Sequence, residues 1–122
     1  MKPRVLVTDG DYENTLAITR SLGRRGYAVC TFSENPHPLS LYSRYCQTAF
    51  SGPSVFQEKE YVRALVKLLS KTRFDVLLPV STGATLVVAK HREKIKPYTN
   101  LALADYEKIK KAMDKKFVYE LA

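Results

Sequence analysis

Residues 4–22, RVLVTDGDYENTLAITRSL, open with an apolar run, pass through a turn that holds the first glycine, and continue in a helix-like pattern. Val5, Leu6 and Val7 make the β-rich run expected of a strand buried on both faces, and Asp9-Gly10-Asp11 breaks it sharply. The order is strand, turn, helix. In open α/β sheets such a turn lies at the carboxyl end of a strand, where helix N-termini present free N–H groups and the positive end of the dipole to small anions.

Outward from this unit, a first helix is expected from Glu13 to Arg24, with Ala17, Ile18, Ser21 and Leu22 facing the sheet and Leu16 off that face. Gly26 stops it, and Tyr27 to Thr31 reads as a second strand, giving a parallel βαβ unit of right-handed crossover. Ser33 to Ser43, SENPHPLSLYS, carries two prolines and reads as a loop with room for one helical turn. Glu34 follows strand 2 where a Rossmann-like domain often keeps an acid for a ribose hydroxyl. The first turn lacks Gly-x-Gly-x-x-Gly, however, which argues against a dinucleotide site.

Gln47 to Phe50 suits a short third strand, and Glu58 to Ser70 a second helix with Val62, Leu65, Val66 and Leu69 inward and Arg63 and Lys67 outward. Phe74 to Val80, FDVLLPV, reads as a buried strand that opens through Ser81, Thr82 and Gly83 into a short helix from about Ala84 to Lys90. The hydroxyls of Ser81 and Thr82 are suited to cap that helix, and they face the Asp9 to Asn14 loop if the two strands are neighbours. Thr99 to Ala104 reads as a fifth strand, and Asp105 as the cap of a helix with Tyr106, Ile109 and Met113 inward. The sum is a three-layer α/β/α, Rossmann-like domain over residues 1–104, its mostly parallel sheet having about five strands. Residues 105–122 read as the helical start of a following domain, cut short at Ala122. The expected ligand edge comprises Asp9, Gly10, Asp11, Asn14, Ser81, Thr82 and Gly83.

Composition narrows the function classes. With 122 residues, 45% of them apolar, five Gly and six Pro, the chain has the make-up of one ordinary globular domain. No apolar run approaches the ~20 residues of a membrane span, and no signal-like segment opens the chain, so a cytoplasmic location and no membrane partner are expected. Cys30 and Cys46 lack Cys-x-x-Cys spacing and read as reduced thiols. His37 and His91 have no metal-like spacing and read as surface residues. The net charge of +8 comes from lysines and arginines that alternate with apolar positions, as on a solvated face. With no zinc-finger, helix-turn-helix or interleaved aromatic pattern, no nucleic-acid partner is expected.

Five phrases, taken in order, carry a family likeness: strand 1 with its loop, Ser21-Leu22-Gly23-Arg24-Arg25-Gly26-Tyr27, Tyr42-Ser43-Arg44-Tyr45, Asp75-Val76-Leu77-Leu78-Pro79-Val80, and Asp114-Lys115. Over almost the whole chain they resemble the N-terminal, pre-ATP-grasp domain of ATP-grasp ligases, in the branch of the carbamoyl-phosphate synthase large chain and biotin carboxylase. The resemblance implies an enzyme that joins a carboxylate to an amine or similar nucleophile through an acyl-phosphate made with Mg-ATP, this domain forming one wall of the substrate site. It places ATP and Mg²⁺ chiefly in the domains that follow, so this chain alone is expected to be inactive and to hold neither. By the same match Lys115 contacts ATP phosphate, with Lys116 in its place if the register slips by one. The implied partner is a small-molecule carboxylate. The family's loop after strand 1 is richer in glycine, and here Asp9, Asp11 and Glu13 set three carboxylates against an anion.

Two other readings share these residues. Asp9 and Asp11 after strand 1 also resemble the Mg²⁺-holding acids of a response-regulator receiver domain, but FDVLLPV has Pro79 or Val80 where the phosphorylated aspartate belongs. The other is a stand-alone module that binds a small molecule and catalyses nothing.

Overall fold

The computed structural model describes residues 3–101. Its elements are β1 (Arg4–Thr8), α1 (Glu13–Arg24), β2 (Ala28–Ser33), β3 (Cys46–Ser51), α2 (Glu58–Lys71), β4 (Val76–Leu78), α3 (Thr82–Lys90), α4 (Arg92–Ile95) and β5 (Asn100–Leu101), with a 3-10 turn at Leu39–Tyr42. The five strands form one sheet in the order β3-β2-β1-β4-β5, and every pairing is parallel. This is an α/β, Rossmann-like fold. The chain steps outward from β1 to β3 and then crosses back to β4, so its direction reverses between β1 and β4. A receiver domain has the order 2-1-3-4-5, so that reading does not fit this topology.

Strand alternation sorts the core into two layers. Leu6, Cys30, Phe32 and Leu77 point to the face covered by α2, α3 and α4, where they meet Tyr61, Leu65, Leu69, Val88 and Ile95. Val5, Val7 and Val29 point the other way, against Ile18 and Leu22 of α1. Right-handed crossovers require this division, since β1 to β2 and β3 to β4 run in opposite senses across the sheet.

α1 has the expected bounds but a different inward face. Thr15 and Thr19 are fully buried together with the partly covered Ile18 and Leu22, whereas Ala17 and Ser21 are exposed. Threonine can take these positions because its hydroxyl finds a local acceptor: Thr15 Oγ1 donates to the Thr8 carbonyl at 2.9 Å and Thr19 Oγ1 to the Thr15 carbonyl at 2.8 Å. The helix ends as Gly26 implied. Gly26 has φ of 94°, its N–H bonds the Gly23 carbonyl, and the Tyr27 N–H reaches back to Leu22 at 3.1 Å, the pattern of a Schellman motif.

Several boundaries differ from expectation. β2 continues to Ser33, while β4 pairs only from Val76 to Leu78, because Pro79 has no N–H to offer a ladder. The connection around Lys94 contains the short α4, whose Ile95 is fully buried. β5 is described to Leu101; the rest of the expected strand to Ala104, the helix begun at Asp105, and residues 105–122 as a separate unit lie outside the described residues. No helix among the described residues is long and apolar enough to cross a membrane. Both cysteines are free thiols, and burial pushes the pKa of Cys30 up.

Candidate functional site

The loops after β1 and β4 face each other, and side chains join them. Asp9 sits in the left-handed region at φ 60°, a conformation aspartate tolerates better than most residues. In that pose its Oδ2 accepts from Thr8 Oγ1 at 2.6 Å and from the Ser81 N–H at 2.8 Å. The Val80 N–H donates in turn to Thr8 Oγ1 at 2.9 Å, and Thr8 is fully buried. Ser81 Oγ accepts the Ala84 N–H at 3.0 Å and so caps α3, while Thr82 occupies the first turn of that helix. The N–H groups of Val80, Ser81 and Ala84 at this crevice are therefore engaged within the protein.

The open space lies on the other side of β1. A pocket of about 240 Å³ is bounded by Asp9, Asp11 and Tyr12 of the first loop, Phe32, Ser33 and Glu34 at the end of β2, residues 53–56 after β3, and Tyr61 of α2. Its floor is aromatic: Phe32 and Tyr61 are 2% and 4% exposed and meet edge to face with centroids 5.6 Å apart. Gly52 lets the Phe32 ring lie there, since a Cβ at that position would stand 2.6 Å from the ring tip. Tyr12 and Phe56 form an exposed rim.

The lining is acidic. Among the described residues it holds the carboxylates of Asp9, Asp11 and Glu34 and no lysine, arginine or histidine. A cleft lined by one sign of charge concentrates ligands of the opposite sign. Asp11 is further held by the Asn35 amide and the Leu39 N–H, each 3.2 Å from its Oδ1, which ties the first loop to the segment after β2. Burial pushes the Tyr61 phenol well above its usual pKa, and the nearby Asp9 carboxylate adds to this, while a hydrogen bond with Thr8 opposes them. The phenol is thus neutral at physiological pH, a hydroxyl set among carboxylates.

The residues expected at the ligand edge divide accordingly. Asp9 and Asp11 line the pocket. Gly10 is buried behind them, its carbonyl accepting the Ser40 N–H at 2.8 Å. Asn14 is exposed on α1, outside the lining, and Ser81 serves as the cap described above. Gly83 borders a separate shallow hollow with Leu86, Val87 and Lys90, and Val55 and Phe56 stand between the two spaces. Lys115 and Lys116 lie outside the described residues. Sequence reasoning missed Phe32, Ser33, Tyr61 and the 53–56 segment; only Glu34, placed directly after strand 2, had a readable signal. A second polar group lies elsewhere: His91, expected at the surface, is half-buried and bonds Glu58 at 2.8 Å, with Lys90 Nζ 3.2 Å from the same carboxylate oxygen.

Comparison with known proteins places the fold. The chain matches no known family model and no curated protein. Among solved structures it is similar to glycinamide-RNase-transformylase T from Mycobacterium tuberculosis, with a TM-score of 0.62 and 16% identity over 98% of this chain. It spans 34% of that protein's length. It is also similar to ElxO with NADP bound, with a TM-score of 0.50 and 21% identity, covering 79% of this chain and 49% of the other.

Proposed function

We propose that this chain is the N-terminal, substrate-side domain of an ATP-grasp ligase that joins a carboxylate to an amine or similar nucleophile, in the branch of the carbamoyl-phosphate synthase large chain and biotin carboxylase. The observation that carries the reading is the acidic pocket at the carboxyl ends of β1 and β2, in a domain whose fold spans the same region as part of glycinamide-RNase-transformylase T, an ATP-grasp enzyme. The five sequence phrases support it independently.

The pocket's chemistry selects among the reactants. Asp9, Asp11 and Glu34 repel a carboxylate or a phosphate and attract an ammonium group, whose hydrogen-bond donors they accept. The amine is thus the partner that this wall holds, its carbon skeleton resting on Phe32 and Tyr61. A triphosphate does not fit this lining, so no step is assigned to ATP or Mg²⁺ here. In the full enzyme Mg-ATP activates the carboxylate, and the contacts proposed for it in this chain are Lys115 and Lys116. The domain itself binds and orients.

The test is a titration of the isotope-labelled chain followed by amide chemical shifts. Glycinamide and other primary amines are expected to move Ser33, Glu34 and Tyr61, and a Glu34→Gln, Asp9→Asn double variant to lose the response. Movement of these amides by acetate or phosphate, with none by amines, would overturn the reading.

One observation favours a second reading, a stand-alone binding module for a ribose-bearing ligand: Glu34 lines the pocket directly after β2, where an acid can accept from ribose hydroxyls. Shifts at Glu34 with free ribose and none with amines would select it.

A further inference from the structure

The Tyr42-Ser43-Arg44-Tyr45 segment plays no part in the acidic pocket, yet its backbone is pinned at several points. The Ser43 N–H donates to the Ser40 carbonyl at 3.0 Å, the buried Ser43 hydroxyl accepts the Tyr45 N–H at 3.1 Å, and the Cys46 N–H donates to the Ser43 carbonyl at 3.2 Å. Tyr45 lies directly on α1 at Gly23, where a Cβ would fall 2.2 Å from the ring. Arg44 is held in turn by Tyr45: its guanidinium stands 4.9 Å from the ring centroid and donates to the phenol oxygen at 2.9 Å.

This arrangement brings Arg44 beside two arginines one helical turn apart on α1. Arg20, Arg24, Tyr42, Ser43, Arg44 and Tyr45 line a groove of about 330 Å³ that contains no carboxylate among the described residues. Among the described residues no acidic side chain forms an ion pair with Arg20, Arg24 or Arg44. Three guanidiniums held at one groove repel each other in the absence of an anion. Their planar forks match the oxygens of a phosphate, and a phosphomonoester dianion offers three acceptor oxygens. Tyr42, with 79% of its surface exposed, leaves a ring free for the remainder of the ligand.

We infer that this groove binds a soluble small molecule bearing a phosphomonoester, with the phosphate on Arg20, Arg24 and Arg44. The volume is near the lower end of small-ligand sites. The inference is independent of the acidic pocket and its proposed amine, from which the groove differs in lining residues and in sign of charge.

The experiment is calorimetric titration of the 122-residue chain with inorganic phosphate, glycerol 3-phosphate and AMP, alongside a single-stranded oligonucleotide and a phosphoserine peptide. Phosphomonoesters are expected to bind and to be displaced by inorganic phosphate. Arg24→Gln and Arg44→Gln should each weaken them on the order of tenfold, and Arg44→Lys should not restore the loss, because an ammonium cannot make the paired contact. Tyr45→Phe keeps the ring on Gly23 and removes only the oxygen that Arg44 bonds, so it should weaken binding with an unchanged circular dichroism spectrum. Absence of phosphomonoester binding, or binding indifferent to all four substitutions, would overturn the inference. So would tighter binding of the oligonucleotide or the peptide than of AMP and glycerol 3-phosphate.

Discussion

β1 has a crevice on each side of its carboxyl end, and the two have opposite characters. Toward β4, where the strand order reverses and α/β sheets commonly place their ligands, Thr8 and Asp9 take up the N–H groups of Val80 and Ser81. Toward β2, the chain leaves about 240 Å³ open over Phe32 and Tyr61. The difference teaches that a reversal point becomes a site only if its backbone donors stay free. Here Thr8 and a strained Asp9 engage two of them, and the open space lies in a neighbouring gap of the opposite preference, acidic and partly aromatic.

The joined side should break most easily at its buried hydroxyl. Thr8→Val removes the acceptor of the Val80 N–H and a donor to Asp9, and is expected to destabilise the chain by about 3 kcal/mol in urea unfolding. On the open side, Gly52→Ala drives a Cβ into the Phe32 ring and should destabilise by about 2 kcal/mol while altering the near-ultraviolet aromatic dichroism. Thr8 lies beside Phe32 across the β1–β2 pairing and hydrogen-bonds Tyr61, which packs on Phe32, so the double variant should depart from additivity.

Asp9 sharpens the comparison, since it serves both crevices. Asp9→Asn retains a side chain tolerant of φ 60° and an acceptor for Ser81, whereas Asp9→Ala loses both, so the alanine variant should be less stable than the asparagine one by about 1.5 kcal/mol.

Tyr61 reports on the pocket through pH. Its folded pKa lies above the ordinary value of 10.0, so at alkaline pH the native state keeps a proton that the unfolded chain gives up. Stability is therefore full below the unfolded phenol's pKa and declines as the pH rises past it; Tyr61→Phe should flatten unfolding free energies measured above about pH 10. The smallest effect belongs to Glu58, away from both crevices. Hydrogen bonds from His91 and then Lys90 lower its pKa, so its contribution is present above the ordinary carboxylate range and is lost as the pH falls through the lowered value. Glu58→Gln should remove a slight part of the acid-side slope and leave stability near neutrality almost unchanged.

The architecture was legible because its signals are local. Val5-Leu6-Val7, the stop at Gly26 and the spacing of Val62, Leu65, Val66 and Leu69 each report on a few consecutive residues, and α1 and α2 begin where those signals place them. The face of α1 was misread because burial of Thr15 and Thr19 depends on acceptors one turn away or in β1, which hydrophobic periodicity does not register. The candidate site was legible only where carboxylates follow a strand directly, at Asp9, Asp11 and Glu34. Its floor joins Phe32 of β2 to Tyr61 of α2 across a close approach at Gly52, and the bond from Ser81 to Asp9 spans 72 positions. Pairings of that kind belong to the assembled sheet and leave no pattern in either segment.

The position of β1 at the centre of the sheet also governs the order of assembly. Of the five strands β1 is synthesised before the others and can pair with β2 once Ser33 has appeared, but its other edge has no partner in this sheet until Val76 to Leu78 are made. For that interval Val5, Leu6 and Val7 form the open border of a nascent parallel sheet, competent to pair with another chain. Delayed closure of this kind raises contact order and slows folding, which makes β4 the strand whose arrival closes this edge of the sheet.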